Sequence, residues 1–315
     1  MLMRVNAHLT EAILSRRGAL LLPLFLTACK TEVTHQRVDP ALAPLIPPDS
    51  TTLVGIRLDK IRKTPAWDKL FPEKGVSALD GLQTQTGMDL RTGMHEAVYC
   101  SGGRHQLVVI RGKFVDGGIA NAGLEPLIKL PGAQKLPYKG FTLVGQEEAA
   151  VTFFNSSVAL SGRASALRAA IDNRELKHSF PQTLLNMVDA LPPEAHIYVV
   201  STKPAFPERG IGGVTSLPLT LSKAHAYVDL RTGVALRAQA EGGSVDDAKK
   251  LLDGLRGLTS LLRLTLKGDQ KGLSNVMDAM QFTQDGATVK LQADLSLDDL
   301  MKGLKSLDLL GPIRA

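Results

Sequence analysis

Two hydrophobic periods run along this chain, and the places where one replaces the other mark its elements. Over residues 287–295, Ala287, Val289, Leu291, Ala293 and Leu295 alternate with Thr288, Lys290, Gln292 and Asp294. A period of two predicts a strand with one packed and one wet face. After Ser244 the period becomes helical: Ala248, Leu251, Leu252, Leu255, Leu258 and Leu262 fall on one stripe, which predicts a long helix buried along that stripe. Ser244 and Ser296 each stand three residues before an aspartate, Asp247 and Asp299, a capping-box pattern that places a helix start at both. The same reading predicts strands at 97–100, 106–113, 141–144, 151–154 and 158–160, and helices at 120–130 and 164–172. Further along it predicts strands at 224–230, 234–241 and 280–283, and a closing helix from Leu297.

These elements occur in a repeated order. Ile46-Pro47-Pro48-Asp49 leads into Leu53-Val54-Gly55-Ile56, and Leu191-Pro192-Pro193-Glu194 leads into Ile197-Tyr198-Val199-Val200, 145 residues later. A double proline stiffens the chain before each strand. A hairpin, a helix, further strands and a closing helix follow each lead-in. The expectation is an α+β fold of two tandem pseudo-repeats, 47–190 and 191–309, each a mostly antiparallel sheet with helices packed on one face. Asp-Leu-Arg-Thr-Gly also occurs twice, at Asp89 and Asp229, but out of register with this alignment, and the order of elements is given precedence.

The N-terminus has a different character. Arg4, Arg16 and Arg17 stand against a single Glu11, and residues 18–26 are apolar apart from Pro23. That run is far shorter than the roughly 20 residues a membrane span needs, and with small residues after it the pattern is that of a secretory signal peptide. Leu26-Thr27-Ala28-Cys29 resembles the lipobox of bacterial lipoproteins. The resemblance implies that residues 1–28 are removed and that the Cys29 thiol carries lipid, with palmitate among the acyl groups. Ser15-Arg16-Arg17-Gly18-Ala19-Leu20-Leu21 is similar to the twin-arginine export motif, which leaves two export routes open. Residues 29–46, with Pro40 and Pro44, read as a lipidated cysteine and a tether that keeps the body close to a membrane. The expected address is the cell envelope, on the outer side of the inner membrane or on the outer membrane facing the periplasm.

Composition excludes some functions. The whole chain carries 37 Lys+Arg against 31 Asp+Glu, a net charge of +6, and the signal region supplies three arginines against one glutamate. The body is therefore only mildly basic. One Trp, four Tyr and nine Phe give no interleaving of aromatic and basic residues, and no nucleic-acid partner is expected. With Cys29 committed to lipid, Cys100 is left without an intramolecular partner and reads as a small apolar filler in a strand.

Reactive motifs are incomplete. His95-Glu96-Ala97-Val98-Tyr99 opens like a zinc-binding His-Glu-x-x-His but has Tyr99 at the second ligand position. His95 and His105 flank the expected hairpin, and no third ligand accompanies them. His196 and His225 fall in strands. The glycine-rich stretches 117–123 and 210–213 lack the spacing of a phosphate loop. Asp246-Asp247 and Asp298-Asp299 sit in first helical turns, where negative charge is favoured. No catalytic, metal or cofactor residue is expected. Arg57, Lys60, Arg62, Lys63 and Lys69 lie within 13 residues and form a candidate membrane-facing basic patch.

The double-proline lead-ins, the hairpin followed by a helix, and the strand running into Ser161-Gly162-Arg163-Ala164-Ser165-Ala166-Leu167 resemble an uncharacterised domain of bacterial envelope proteins that is duplicated within one lipoprotein chain. The resemblance implies fold and compartment, and no catalytic residue comes with it. The function expected is a non-catalytic, membrane-anchored module that binds or scaffolds an envelope protein. The alternative is a carrier for an apolar ligand or lipid between sheet and helices, with the leucine-rich helix as its wall.

Overall fold

The computed structural model describes residues 38–70, 90–103, 105–114, 124–129, 131–175, 181–204, 221–265 and 271–306. After a short 3₁₀ turn at Ala43–Leu45 come β1 (Thr52–Arg57), α1 (Leu58–Ile61), α2 (Trp67–Leu70), α3 (Leu90–Gly93), β2 (Met94–Gly102), β3 (His105–Gly112) and α4 (Glu125–Ile128). Four strands follow, β4 (Gln134–Tyr138), β5 (Phe141–Gly145), β6 (Ala150–Asn155) and β7 (Val158–Gly162), then α5 (Ala164–Glu175) and α6 (Gln182–Asp189). The remainder is β8 (Ile197–Ser201), β9 (Leu221–Asp229), β10 (Val234–Gly242), α7 (Val245–Thr265), α8 (Lys271–Asp278), β11 (Gln281–Asp285), β12 (Thr288–Leu295) and α9 (Leu297–Ser306).

The twelve strands among the described residues join one antiparallel sheet, ordered β11-β12-β10-β9-β8-β1-β2-β3-β7-β6-β5-β4. The expected α+β class holds, but two separate sheets do not form. β1 pairs directly with β8, Leu53 opposite Val200 and Gly55 opposite Tyr198. Both strands are almost wholly apolar, so each can give up an edge to the other, and backbone groups that would have faced water are paired. Counted outward from this seam, one side reads β1, β2, β3, β7, β6 and the other β8, β9, β10, β12, β11. The first side alone continues into β5 and β4.

Helices lie on both faces of the sheet rather than on one. On the first face, Leu53, Val98, Cys100, Leu107, Val109, Leu160, Tyr198 and Val200 pack beneath α5, α6 and the segment 38–46. That segment, expected to be a tether, is part of the core: Val38, Leu42, Leu45 and Ile46 are buried. Leu42, Leu45 and Ile46 recur at helical spacing, and the two prolines fall where a single tight turn tolerates them. We call residues 38–46 the strap. On the opposite face, α4 covers Ile110, Phe153 and Ala159, and α1, α2 and α9 cover Ile56, Ile197, Val228 and Leu295. α7 covers Ala240 and Val289.

The serine caps form as expected. The Asp247 N–H donates to Ser244 Oγ at 3.1 Å and the Asp299 N–H to Ser296 Oγ at 3.0 Å. The tetrapeptide Leu-Arg-Thr-Gly takes two conformations, helical as α3 at Leu90 and a hairpin loop after Leu230. Its recurrence therefore carries no structural equivalence.

Candidate functional site

Cross-strand register sets a row of small side chains on the opposite face, under α7. Val289, Ala240, Ala224, Ser201 and Thr52 stand side by side on β12, β10, β9, β8 and β1, and Leu291, Ala238, Ala226 and Val199 form the next row. Alternation sends the large polar neighbours His225, Tyr227, Arg237 and Gln239 to the other face. Four alanine methyls cannot reach the helix above, and a groove of about 340 Å³ remains between sheet and α7. Leu251 and Leu255, one turn apart on α7, form its wall together with Phe282 of β11. The floor crosses five strands, roughly 19 Å at about 4.8 Å per strand. Val199, in the floor, is 37% exposed, a large apolar residue open to solvent at the centre of a sheet. The volume lies within the range of small-molecule pockets.

His225 and Gln239 border the groove, but register directs their side chains to the other face, and the polar side chains on the groove's own face, Thr52 and Ser201, stand at the β1–β8 seam. Thr52 Oγ1 and Ser201 Oγ lie 2.8 Å apart. Ser201 Oγ donates to the Thr51 carbonyl at 3.1 Å and accepts the Lys203 N–H at 3.2 Å. Among the described residues, no Lys, Arg, Asp or Glu lines the groove.

The other face of the seam holds a buried charged cluster. Arg57 Nη1 donates to the Ala195 carbonyl at 2.8 Å, and its guanidinium lies 4.7 Å from the centre of the Tyr198 ring. Glu96, opposite Arg57 on β2, has an oxygen 3.7 Å from Arg57 Nε and accepts the Asp39 N–H of the strap at 3.3 Å. Burial pushes the Glu96 carboxyl up to about 7, with Arg57 opposing. The described residues close over this cluster: Arg57 is 3% exposed and Tyr198 fully buried.

The sequence-derived candidates fall as follows. Cys29 and the signal residues Arg16, Arg17, Leu26, Thr27 and Ala28 lie outside the described residues, as do both glycine-rich stretches. The basic cluster is not laid out as an open face. Arg57 points into the core, Lys60 donates to the Pro193 carbonyl at 3.0 Å, and Lys69 pairs with Asp298 at 2.6 Å. Arg62 donates to the carbonyls of Arg91 and Met94 and stacks on Trp67. Lys63 alone of the five is exposed with no contact of this kind described. Sequence clustering of cations does not distinguish charges that cap loop carbonyls from charges that face water.

His95 and His105 sit at opposite ends of the β2–β3 hairpin, since Gly102 faces His105 and Met94 faces Gly112. Seven residues of strand, roughly 23 Å, separate them. His196 Nδ1 accepts the Leu230 N–H at 3.2 Å, and burial lowers the pKa of His196. Cys100 is buried, and burial pushes its thiol up, away from the reactive thiolate. Among the described residues no group of three or more His, Cys, Asp or Glu is placed to hold a metal, and no described helix is long and apolar enough to cross a membrane. The groove residues escaped the sequence reading, although alternation of alanine with large polar residues in β9 and β10 was the available signal.

No protein-family model matches this chain, and no curated protein matches it. Solved structures do. Crystal form III of TP0453 superposes with a TM-score of 0.51 at 7% identity, covering 84% of this chain and 97% of that one. Crystal form I of TP0453 gives 0.48 at 8% identity, covering 84% and 96%. At such low identity the first of these likenesses establishes a shared overall fold and nothing about activity.

Proposed function

We propose that this chain is a non-catalytic lipoprotein of the bacterial cell envelope whose body binds an apolar ligand in the groove under α7. The observation that carries the reading is the alanine floor. A module serving only as a scaffold would be expected to close-pack sheet against helix, because interiors approach crystal density and unfilled volume is costly. Here four alanines, an exposed valine and a leucine-lined wall surround about 340 Å³ instead. The Leu-Thr-Ala-Cys signal supports the address, with Cys29 as the lipid attachment. Since the strap is part of the body, residues 38–46 cannot serve as tether.

Binding of the uncharged fluorophore 1-N-phenylnaphthylamine to the purified full chain tests the reading. Saturable binding is expected, and Ala226→Leu, which fills the floor without adding a polar atom, should weaken it at least tenfold. A full-strength signal in Ala226→Leu would place the probe elsewhere and defeat the proposal.

We further infer that the body arose by duplication of one unit. The matching strand order on either side of the seam, and the position of α4 and α7 on the same face after β3 and β10, support it. The closing helices do not follow the rule, since α5 and α9 lie on opposite faces. Relatives carrying a single unit would support a duplication, while relatives whose two halves align worse to each other than to unrelated sheets would oppose it.

A further inference from the structure

We propose that the ligand is a single-chain amphiphile with an uncharged, hydrogen-bond-donating head, lying across the strands with that head at Thr52 and Ser201. This rests on the groove being an apolar-ligand site, and it follows from how unlike the two ends of the groove are.

At the α7 end the contacts are purely hydrocarbon, from Leu251, Leu255, Phe282 and Val289. At the seam end stand two hydroxyls. The middle is floored by alanine methyls, low enough to admit a chain and giving it nothing to bond to. His225 and Gln239 border the groove, but register turns their side chains to the other face, so among the side chains described on this face the seam hydroxyls are the ones that can take a polar head. The opposite orientation would bury that head against Phe282 and the α7 leucines with no partner, which is strongly disfavoured.

The charge of the head follows from the lining. With no Lys or Arg among the described lining residues, a carboxylate or phosphate would lose water and gain no counter-ion from them. Its donor character follows from the protons. Ser201 gives its single proton to the Thr51 carbonyl and already accepts the Lys203 N–H. The 2.8 Å contact to Thr52 is then made with the Thr52 proton. Thr52 Oγ1 is left with lone pairs and no proton to offer, so it suits an incoming hydroxyl or amide N–H. The number of chains follows from volume, because about 340 Å³ is at the low end for ligand pockets and does not suit a two-chain phospholipid.

Displacement of 1-N-phenylnaphthylamine from the full chain separates the outcomes. At about pH 8, 1-dodecanol and monododecanoylglycerol should displace the probe at concentrations at least tenfold below dodecanoate, which has the same chain length and an ionised head. Thr52→Val keeps the shape and removes the acceptor, so it should weaken the two alcohols about fivefold more than it weakens the probe, whose binding in the variant is measured first. Dodecanoate displacing as well as the alcohols, or Thr52→Val binding them undiminished, overturns the head assignment while leaving the groove as the site. Absence of probe binding in the unaltered chain removes both readings.

Discussion

Gly55→Ala should be one of the more damaging single-methyl changes in this molecule, because of where that methyl would go. Gly55 faces Tyr198 across the β1–β8 seam, and a Cβ there would lie 2.0 Å from Tyr198 Cζ and 2.2 Å from Cε1. The ring is fully buried beneath Arg57, whose guanidinium stacks on it at 4.7 Å. It cannot swing away without opening the core. Overpacking of this kind costs typically 1–3 kcal/mol, against which alanine regains roughly 0.5–1 kcal/mol of the entropy glycine loses on folding. The net expectation is a loss of about 1–2 kcal/mol. Urea unfolding should show a lower midpoint at an unchanged slope. In a Tyr198→Val background, itself destabilised by several kcal/mol through loss of a buried aromatic, the additional cost of Gly55→Ala should vanish or reverse, a coupling that a double-mutant cycle reads directly. A Gly55→Ala protein as stable as the parent, or one whose loss persists without the tyrosine ring, would refute the argument that the ring fills the space of the missing side chain.

Three further outcomes can be checked. Ser244→Ala removes the acceptor of the Asp247 N–H and should cost about 1 kcal/mol, and Asp or Asn at 244 should restore it in thermal unfolding. The Glu96 carboxyl is raised from 4.5 to about 7 by burial, so the folded state holds its proton more tightly than the unfolded chain does. Its contribution is greatest below about pH 4.5 and is lost as pH rises to about 7. Between those limits stability should fall by up to about 3 kcal/mol, and Glu96→Gln should flatten that slope; an unchanged slope would assign it to other groups. Finally, Cys29→Ala should give an unlipidated protein with its signal uncut or cut elsewhere. Mass spectrometry of the mature N-terminus decides this, and an unmodified residue other than Cys29 in the parent protein would sink the lipobox reading.

How far the molecule could be read from its sequence depended on the range of the interactions involved. Strands β9, β10 and β12 and the starts of α7 and α9 are encoded locally, by period-two alternation and by serines three residues before aspartates. Both signals survive folding because they describe a residue's own neighbours. β4 went unread since Gln134-Lys135-Leu136-Pro137-Tyr138 alternates poorly and Pro137 argues against a strand interior; it is tolerated there because β4 is an edge. Two prolines make the strap read as a tether, although Leu42, Leu45 and Ile46 carry the spacing of a buried turn. The β1–β8 pairing joins segments nearly 150 residues apart, and nothing in either apolar strand names the other as its partner. The groove was hardest of all, because it consists of what Ala224, Ala226, Ala238 and Ala240 leave empty. A periodicity argument registers that these positions are apolar and does not register that they are short.

The burial of the strap also has a mechanical consequence. If the chain is fastened at Cys29, any tension between membrane and body enters at Val38 and passes within about a dozen residues into β1. That strand lies near the middle of the sheet, hydrogen-bonded to β2 along one edge and to β8 along the other. A pull along β1 must shear two ladders at once, whereas a pull on an outermost strand such as β11 would unzip its rungs one at a time. A chain fastened in that way would load the sheet at one of its more force-resistant strands, so drag on the body would reach the groove only after two ladders had yielded.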